Sequence, residues 1–273
     1  MRRLAALPTD WRDLARAIVP LALLSTAAVF PLLRLPVLVV LVAGAAVAIR
    51  REAPVRWAWA AAVPVAINLA WGLWPAPTVA LDGTDCASLG SPVAIWRLLE
   101  SIIVLASLMA FAVVLKASRS SLLLRRPARA VVRWSVVAFL VSGPVALLMG
   151  PLLARPFFGD VGYDVTMLGA IVPALIFAIA NGTMEEVVYR GALLGWSSKV
   201  MGVAPALVGQ AVVFGLAHSG ADVVGNGIVL SVALGIGGFI AGVIAIRTRS
   251  LLLPIAVHVG LDIPIYYAFA CGN

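Results

Sequence analysis

Residues 167–190, MLGAIVPALIFAIANGTMEEVVYR, carry no charged side chain from Met167 to Met184 and then three in quick succession: Glu185, Glu186 and Arg190. An α-helix needs roughly 20 residues to cross the hydrocarbon of a bilayer, and the apolar run over 167–189 supplies them. Comparable runs stand at 17–33, 35–49, 56–75, 93–115, 131–153, 203–218, 226–246 and 251–270. They are continuous and do not alternate with polar residues, so they predict helices and not barrel strands. The fold class expected is therefore all-α, a polytopic transmembrane helical bundle of about 8–9 spans. Only Arg34-Leu35-Pro36 separates the first two runs.

Composition agrees. The chain of 273 residues is 63% hydrophobic and 12% charged, against about 25% charged in an ordinary soluble domain. No soluble core of this size could cover that much apolar surface. No polar stretch is long enough to form a separate soluble domain. The first run is preceded by Asp10, Arg12, Asp13 and Arg16 and ends without a small-residue cleavage site, so it is expected to stay as a helix and not to be a cleaved signal peptide.

The formal charge of +8 does not point to nucleic acid, because the basic residues sit in short loops between apolar runs. Their distribution is topological. With the N-terminus inside, all but Arg34, Arg97 and Arg155 of the 20 basic residues fall on the cytoplasmic side, the bias that sets orientation in membranes. The C-terminus is then extracytoplasmic, together with Asp82, Asp85, Asp160, Asp164 and Asp222. Cys86 and Cys271, the two cysteines, also fall there, in a space where a disulfide can form. The default reading is two unrelated thiols, with a bridge as the alternative. Arginine supplies every base except Lys116 and Lys199, a composition expected of a GC-rich bacterial genome and hence of a bacterial plasma membrane protein.

Ionisable side chains inside membrane spans are expensive and mark functional sites by default. Arg97 and Glu100, three apart, pair on one helix face and read as structural. The second half is different. Glu186 and Arg190 stand at the spacing of a helical salt bridge with the acid N-terminal, so they can be buried together. Glu185 points about 100° away from Glu186 on a regular helix, so the two are expected not to address one site. Glu185 is left without a local counter-charge, a candidate general base. The chain has only two histidines. His218 lies one turn after Phe214 on the same face. His258 and Asp262 are again one turn apart, so the carboxylate is expected to hold the imidazole in one tautomer and orientation.

Glu185-Glu186-x-x-x-Arg190, Phe214-x-x-x-His218 and His258-x-x-x-Asp262, in this order over about residues 165–270, resemble the CPBP family, which contains CAAX prenyl proteases and bacteriocin-processing (Abi) enzymes. The family pattern is EExxxR, FxxxH and HxxxN or HxxxD on separate transmembrane helices. The resemblance implies an intramembrane endopeptidase. Glu185 and His218 would activate water, and His258 with Asp262 would serve the oxyanion. Glu186, Arg190 and Phe214 would give structural support. An ionised Asp only accepts hydrogen bonds, so Asp262 is expected to orient His258 and leave the donating to the ring. Residues 161–273 would form the catalytic helical core, and residues 1–160 are N-terminal transmembrane helices of unassigned role. The partners implied are the lipid bilayer and a protein or peptide substrate, with no nucleic acid.

Glu185, His218 and His258 also number three, the ligand count of a catalytic Zn²⁺ or other divalent metal with an open position. No HExxH helix is present, and a carboxylate-activated water needs no metal. Both alternatives stay open at this stage. So do two other functions: a non-catalytic scaffold or immunity protein of the same fold, whose motifs would be expected to decay, and an ion- or proton-coupled transporter, which would be expected to show inverted repeats.

One geometric expectation follows. If every helix starts at the same plane, His258 lies about 10 Å from the inner face and His218 about 22 Å from it. The site then assembles only if the helix of His218 continues through Ala221 to Val224, breaking at Gly225-Asn226-Gly227, or if the helices tilt.

Overall fold

The computed structural model describes residues 11–73, 85–158, 168–219 and 227–271. Arg2, Arg3, Asp10, Asp82, Asp160, Asp164, Asp222 and the Gly225-Asn226 break lie outside the described residues, as does the side chain of Arg155. The elements are α1 (Trp11–Val29), α2 (Arg34–Arg50), α3 (Arg56–Trp71), α4 (Pro92–Val114), α5 (Arg129–Phe158), α6 (Ile171–Glu185), a π-helical segment (Glu186–Leu194), α7 (Gly195–Met201), α8 (Val203–Ala217), α9 (Gly227–Thr248) and α10 (Leu252–Ala270). Among the described residues the one extended pairing is an isolated bridge between Leu124 and Ser250.

A helix satisfies its backbone polar groups internally, which is what a hydrocarbon solvent demands. Five helical stretches are long and apolar enough to cross a membrane by length and composition: Pro31–Arg50, Pro92–Val114, Arg129–Gly150, Ile171–Met201 and Gly227–Thr248. Val203–Ala217 and Leu252–Ala268 are shorter apolar helices. The protein is a helical membrane bundle. Val113, Leu140, Leu148, Ile228 and Ile236 are exposed large hydrophobics, as a lipid-facing surface requires.

The run predicted over 167–189 goes on to Met201 as one rod through α6, the π segment and α7. Its charged residues do not end it, because each finds a partner. Arg190 pairs with Glu186, and the Lys199 Nζ lies 3.2 Å from the centre of a Trp57 ring.

The larger buried core draws on α1, α2, α3 and α4 as well as on the π segment, α7 and α8. Glycines let α9 pack closely on α8. On α9, a Cβ at Gly238 would press into the Phe214 ring, and one at Gly242 would meet Leu207 and Gln210 of α8. The GxxxG step thus does what small residues do in membranes and lets two backbones approach.

The chain reverses between α7 and α8 at Gly202, whose φ of +83° is one that non-glycine residues rarely adopt. Glu185 and His218 lie almost equidistant along the chain from that hairpin, so they come level across it. The expected continuation of α8 through Ala221 to Val224 lies outside the described residues. The helix ends at Ala217 and His218 is its cap. The imidazole itself closes the end, its Nδ1–H donating to the Phe214 carbonyl at 2.7 Å. What brings His258 level is a staggered set of helix starts. A Cβ on Gly191 would lie 3.1 Å from the Leu122 carbonyl and 3.3 Å from Leu251, so α10 begins beside Gly191 and not beside the Gly202 hairpin. The hairpin projects past the start of α10, and the assumed common plane was the error.

At the opposite end, Cys86 and Cys271 form a disulfide with Cα atoms 5.4 Å apart. Tyr266 reinforces it, its hydroxyl lying 2.7 Å from the Cys86 carbonyl and 2.6 Å from Ser91 Oγ. The bridge ties the end of α10 to the segment before α4. Without reductant, neither thiol should accept an alkylating label. Replacing both cysteines with serine should cost about 2–5 kcal/mol of stability, read by thermal unfolding in detergent. Labelling of both residues without reductant would refute the bridge.

Candidate functional site

The six ionisable residues of the three motifs converge where α6 passes into the π segment. Glu185 closes α6, and Glu186 opens a nine-residue π-helix. Wide π turns inside α-helices are rare and occur frequently at functional sites. Nothing in the apolar pattern betrays this one. Both glutamates, Arg190 and Asp262 are buried.

Glu186 is the organising group. Its Oε1 lies 3.0 Å from Arg190 Nη1 and 2.9 Å from His258 Nδ1. A carboxylate only accepts, so His258 Nδ1 carries the hydrogen and donates it. The other ring nitrogen, Nε2, then faces Glu185 Oε2 at 3.6 Å. The expectation that adjacent glutamates cannot serve one site is therefore corrected. An imidazole has two polar edges, and His258 spans the angle between the two side chains. α10 can come this close because residue 182 is glycine. A Cβ there would lie 3.1 Å from the Val259 backbone nitrogen and 3.3 Å from His258 Cβ.

The tautomer of His258 was expected to be set by Asp262. In the structure the orienting bond comes from Glu186, and Asp262 Oδ2 lies 3.7 Å from Nε2, beyond hydrogen-bond range. The same Asp262 oxygen accepts a hydrogen bond from Asn181 Nδ2 at 2.9 Å. Asp262 faces the Nε2 edge because the Nδ1 edge is already taken by Glu186. Asn181 was missed in the sequence. Its signal is a buried amide in an apolar run, one turn before Glu185, where such a group needs a partner.

His218 presents its Nε2 to Glu185 Oε2 at 3.9 Å. Its Nδ1–H is committed to the Phe214 carbonyl, so both histidines offer the same nitrogen to the same carboxylate oxygen. Phe214 supports all of this. Its ring centre is 4.7 Å from that of His218 and 5.1 Å from that of Tyr189. The Arg190 guanidinium carbon lies 4.0 Å from it, a cation–π contact in a site removed from water.

The N-terminal helices reach the site through a polar chain that sequence reading only half saw. Arg97 and Glu100 pair as expected, at 2.6 Å. Glu100 Oε1 also accepts from Asn68 Nδ2 at 2.7 Å, and Tyr189 donates to Asn68 Oδ1 at 3.2 Å. Tyr189 belongs to the π segment, so α3 and α4 hold it from behind. Ser101 adds a bond from α4 to the Ala180 carbonyl of α6 at 2.9 Å.

Among the described residues, no group of three or more His, Cys, Asp and Glu side chains stands as a metal-binding set.

Fold and site together define a polytopic helical membrane protein with a buried carboxylate facing two partly buried imidazoles between helices. Residues 167–263 match the model of a protease family described as Type II CAAX prenyl endopeptidase Rce1-like. The family resemblance carried by the three motifs is borne out over this stretch. No curated protein and no solved structure matches the chain.

The geometry makes one substitution diagnostic. Glu186→Ala removes the counter-charge of Arg190 and the acceptor of His258 Nδ1 at once. Breaking such a buried pair costs about 3–5 kcal/mol. Thermal unfolding in detergent should shift accordingly, and an unchanged midpoint would show that Glu186 does not hold the site.

Proposed function

We propose that this chain is a membrane-embedded endopeptidase that hydrolyses peptide bonds at or within the bilayer with Glu185 as the base that activates water. The observation that carries this reading is the Glu185 carboxylate. Its Oε2 is buried, accepts no hydrogen bond within the protein, and faces the Nε2 atoms of His218 and His258 at 3.9 and 3.6 Å. An acceptor oxygen held in a dry site with its lone pairs uncommitted is suited to take a proton from water. The family matched by residues 167–263 is a peptidase family, which supports the same reaction class.

In this mechanism a water beside Glu185 attacks the scissile carbonyl carbon as its proton passes to the carboxylate. The carbonyl π pair moves onto oxygen. Protonated His258 donates from Nε2–H to that oxyanion, because its Nδ1–H is engaged with Glu186. His218 Nε2 shares the water with Glu185. Collapse expels the amine, which takes the proton back from Glu185. Asp262, held by Asn181, supplies negative charge beside the Nε2 edge of His258. Glu186, Arg190 and Phe214 keep the rings and the π segment in place.

Residues 161–273 carry all of these groups, and we assign them as the catalytic core. Residues 1–160 supply the helices that brace Tyr189 through Asn68, Glu100 and Arg97. We orient the bundle with the arginine-rich loops in the cytoplasm and the disulfide outside. The bridge and the charge bias support the same orientation independently. The substrate class is a polypeptide presented at the membrane.

Glu185→Gln should lower peptide cleavage by about 10²–10⁴-fold, the usual contribution of a positioned base, with folding and insertion unchanged. Mass-spectrometric comparison of peptides released by wild-type and variant membranes would check it, and near-wild-type cleavage would sink the assignment.

The second test concerns Asp262. Asp262→Asn keeps an acceptor for Asn181 and should retain measurable cleavage. Asp262→Ala strands the Asn181 amide and should lose far more. Equal activities in the two variants, measured on one reporter peptide, would remove Asp262 from the site.

A further inference from the structure

The end of the bundle opposite the disulfide carries a second polar cluster that the peptidase reading does not use. A pocket there is lined by Ser120, Arg125, Ser198 and Arg249, with Leu194, Val203 and Ile246 among its apolar walls. We propose that this pocket binds the phosphate of an anionic phospholipid headgroup.

Two loops build it. One follows α4 and the other joins α9 to α10. They are clamped together by the Leu124–Ser250 bridge and by the Arg125 amide donating to the Arg249 carbonyl at 3.3 Å. The clamp sets the two arginines side by side. It also holds Leu123 and Arg249 at φ of 56° and 55°, a conformation that non-glycine residues rarely take. The first loop sits hard on the rod carrying Glu185 and Glu186, since a Cβ on Gly195 would be 2.5 Å from the Ser121 carbonyl. The pocket is therefore a fixed feature of the fold.

Its charge is uncompensated. Among the described residues neither Arg125 nor Arg249 forms an ion pair with a carboxylate. The chain between Glu100 and Asp160 holds no acidic residue at all. Two guanidiniums, each with a fork of N–H donors, match the geometry of a phosphate. Ser120 and Ser198 line the same walls, with the Ser198 hydroxyl donating to the Gly195 carbonyl at 2.9 Å and Ser120 Oγ bonded to Ser118 Oγ at 2.9 Å, so the recognition falls to the two arginines.

The ligand is a lipid because of the remaining walls and the position. A free phosphate gains nothing from Leu194, Val203 and Ile246, whereas the glycerol and the start of an acyl chain do. The pocket also lies at the ends of α5, α9 and α10, where headgroups of a surrounding bilayer must be. Leu194 and Gly195 mark the junction of the π segment and α7, so the lipid would rest against the far end of the helix that carries Glu185.

The test uses the full chain purified in a neutral detergent. Its thermal midpoint is followed with phosphatidylglycerol, with phosphatidylcholine or with inorganic phosphate added. Phosphatidylglycerol should raise the midpoint by several degrees, and the other two should not. In R125Q/R249Q that shift should vanish, whereas R126Q/R129Q, which alters arginines of the same end that do not line the pocket, should keep it. Equal stabilisation by phosphatidylcholine would overturn the charge recognition. Stabilisation by inorganic phosphate alone would make this a free-anion site and overturn the lipid. An undiminished shift in R125Q/R249Q would remove the pocket from the account. Should the double variant not fold, native mass spectrometry of R249Q replaces it. That protein should retain bound phosphatidylglycerol about tenfold less than wild type, and equal retention would refute the proposal.

Discussion

The structure turns on one carboxylate oxygen. Glu186 Oε1 receives both the Arg190 guanidinium and the His258 Nδ1–H, at 3.0 and 2.9 Å. A buried charge in an apolar medium persists only when it is paired and hydrogen-bonded. That requirement fixes α10 against the α6–π rod, sets which nitrogen of His258 carries its hydrogen, and turns the other nitrogen toward Glu185. The neighbour, Glu185, is then free of the structural task and holds a lone acceptor oxygen between two rings.

The helices around this point are arranged to keep it dry and stiff. Gly182 removes the side chain that would hold α10 away, and Gly238 and Gly242 do the same for α9 against α8. The Phe214 ring lies against the Arg190 guanidinium and packs beside the tilted ring of His218. Behind the π segment, Tyr189, Asn68 and Glu100 form a polar chain ending on Arg97. Each buried polar group in that chain meets a partner on a different helix, so the chain also records how α3 and α4 dock.

The π segment gives the rod a second function. Its wider turn displaces the residues after Glu185 from the register of a regular helix while keeping the rod continuous to Met201. One end of the segment carries Glu186 and the site. The other end, at Leu194, lines the arginine pocket. The same element therefore touches both the glutamate site and the arginine pocket.

Much of this was legible in the sequence because membrane spans declare themselves by length and apolar content. The helical class, the run boundaries to within a few residues in most cases, the Arg97–Glu100 and Glu186–Arg190 pairs, and the six ionisable residues of the three motifs all follow from local spacing. Local spacing is also where its reach ended. Periodicity placed the two glutamates on different faces, and only the approach of α10 showed that one imidazole could span them. The pairing of His258 with Asp262 looked settled by proximity along the helix, but a nearer acceptor from another helix took the Nδ1 edge. Depth was misjudged because helix starts in a bundle need not share a plane, and the stagger between Gly202 and Leu251 is set by packing at Gly191. Cys86 and Cys271 are far apart in the chain, so only the folded path could bring them together. Side-chain identity determined which groups had to be buried and paired. Tertiary structure decided with whom, because hydrogen bonds are made across space to whichever partner packing brings closest.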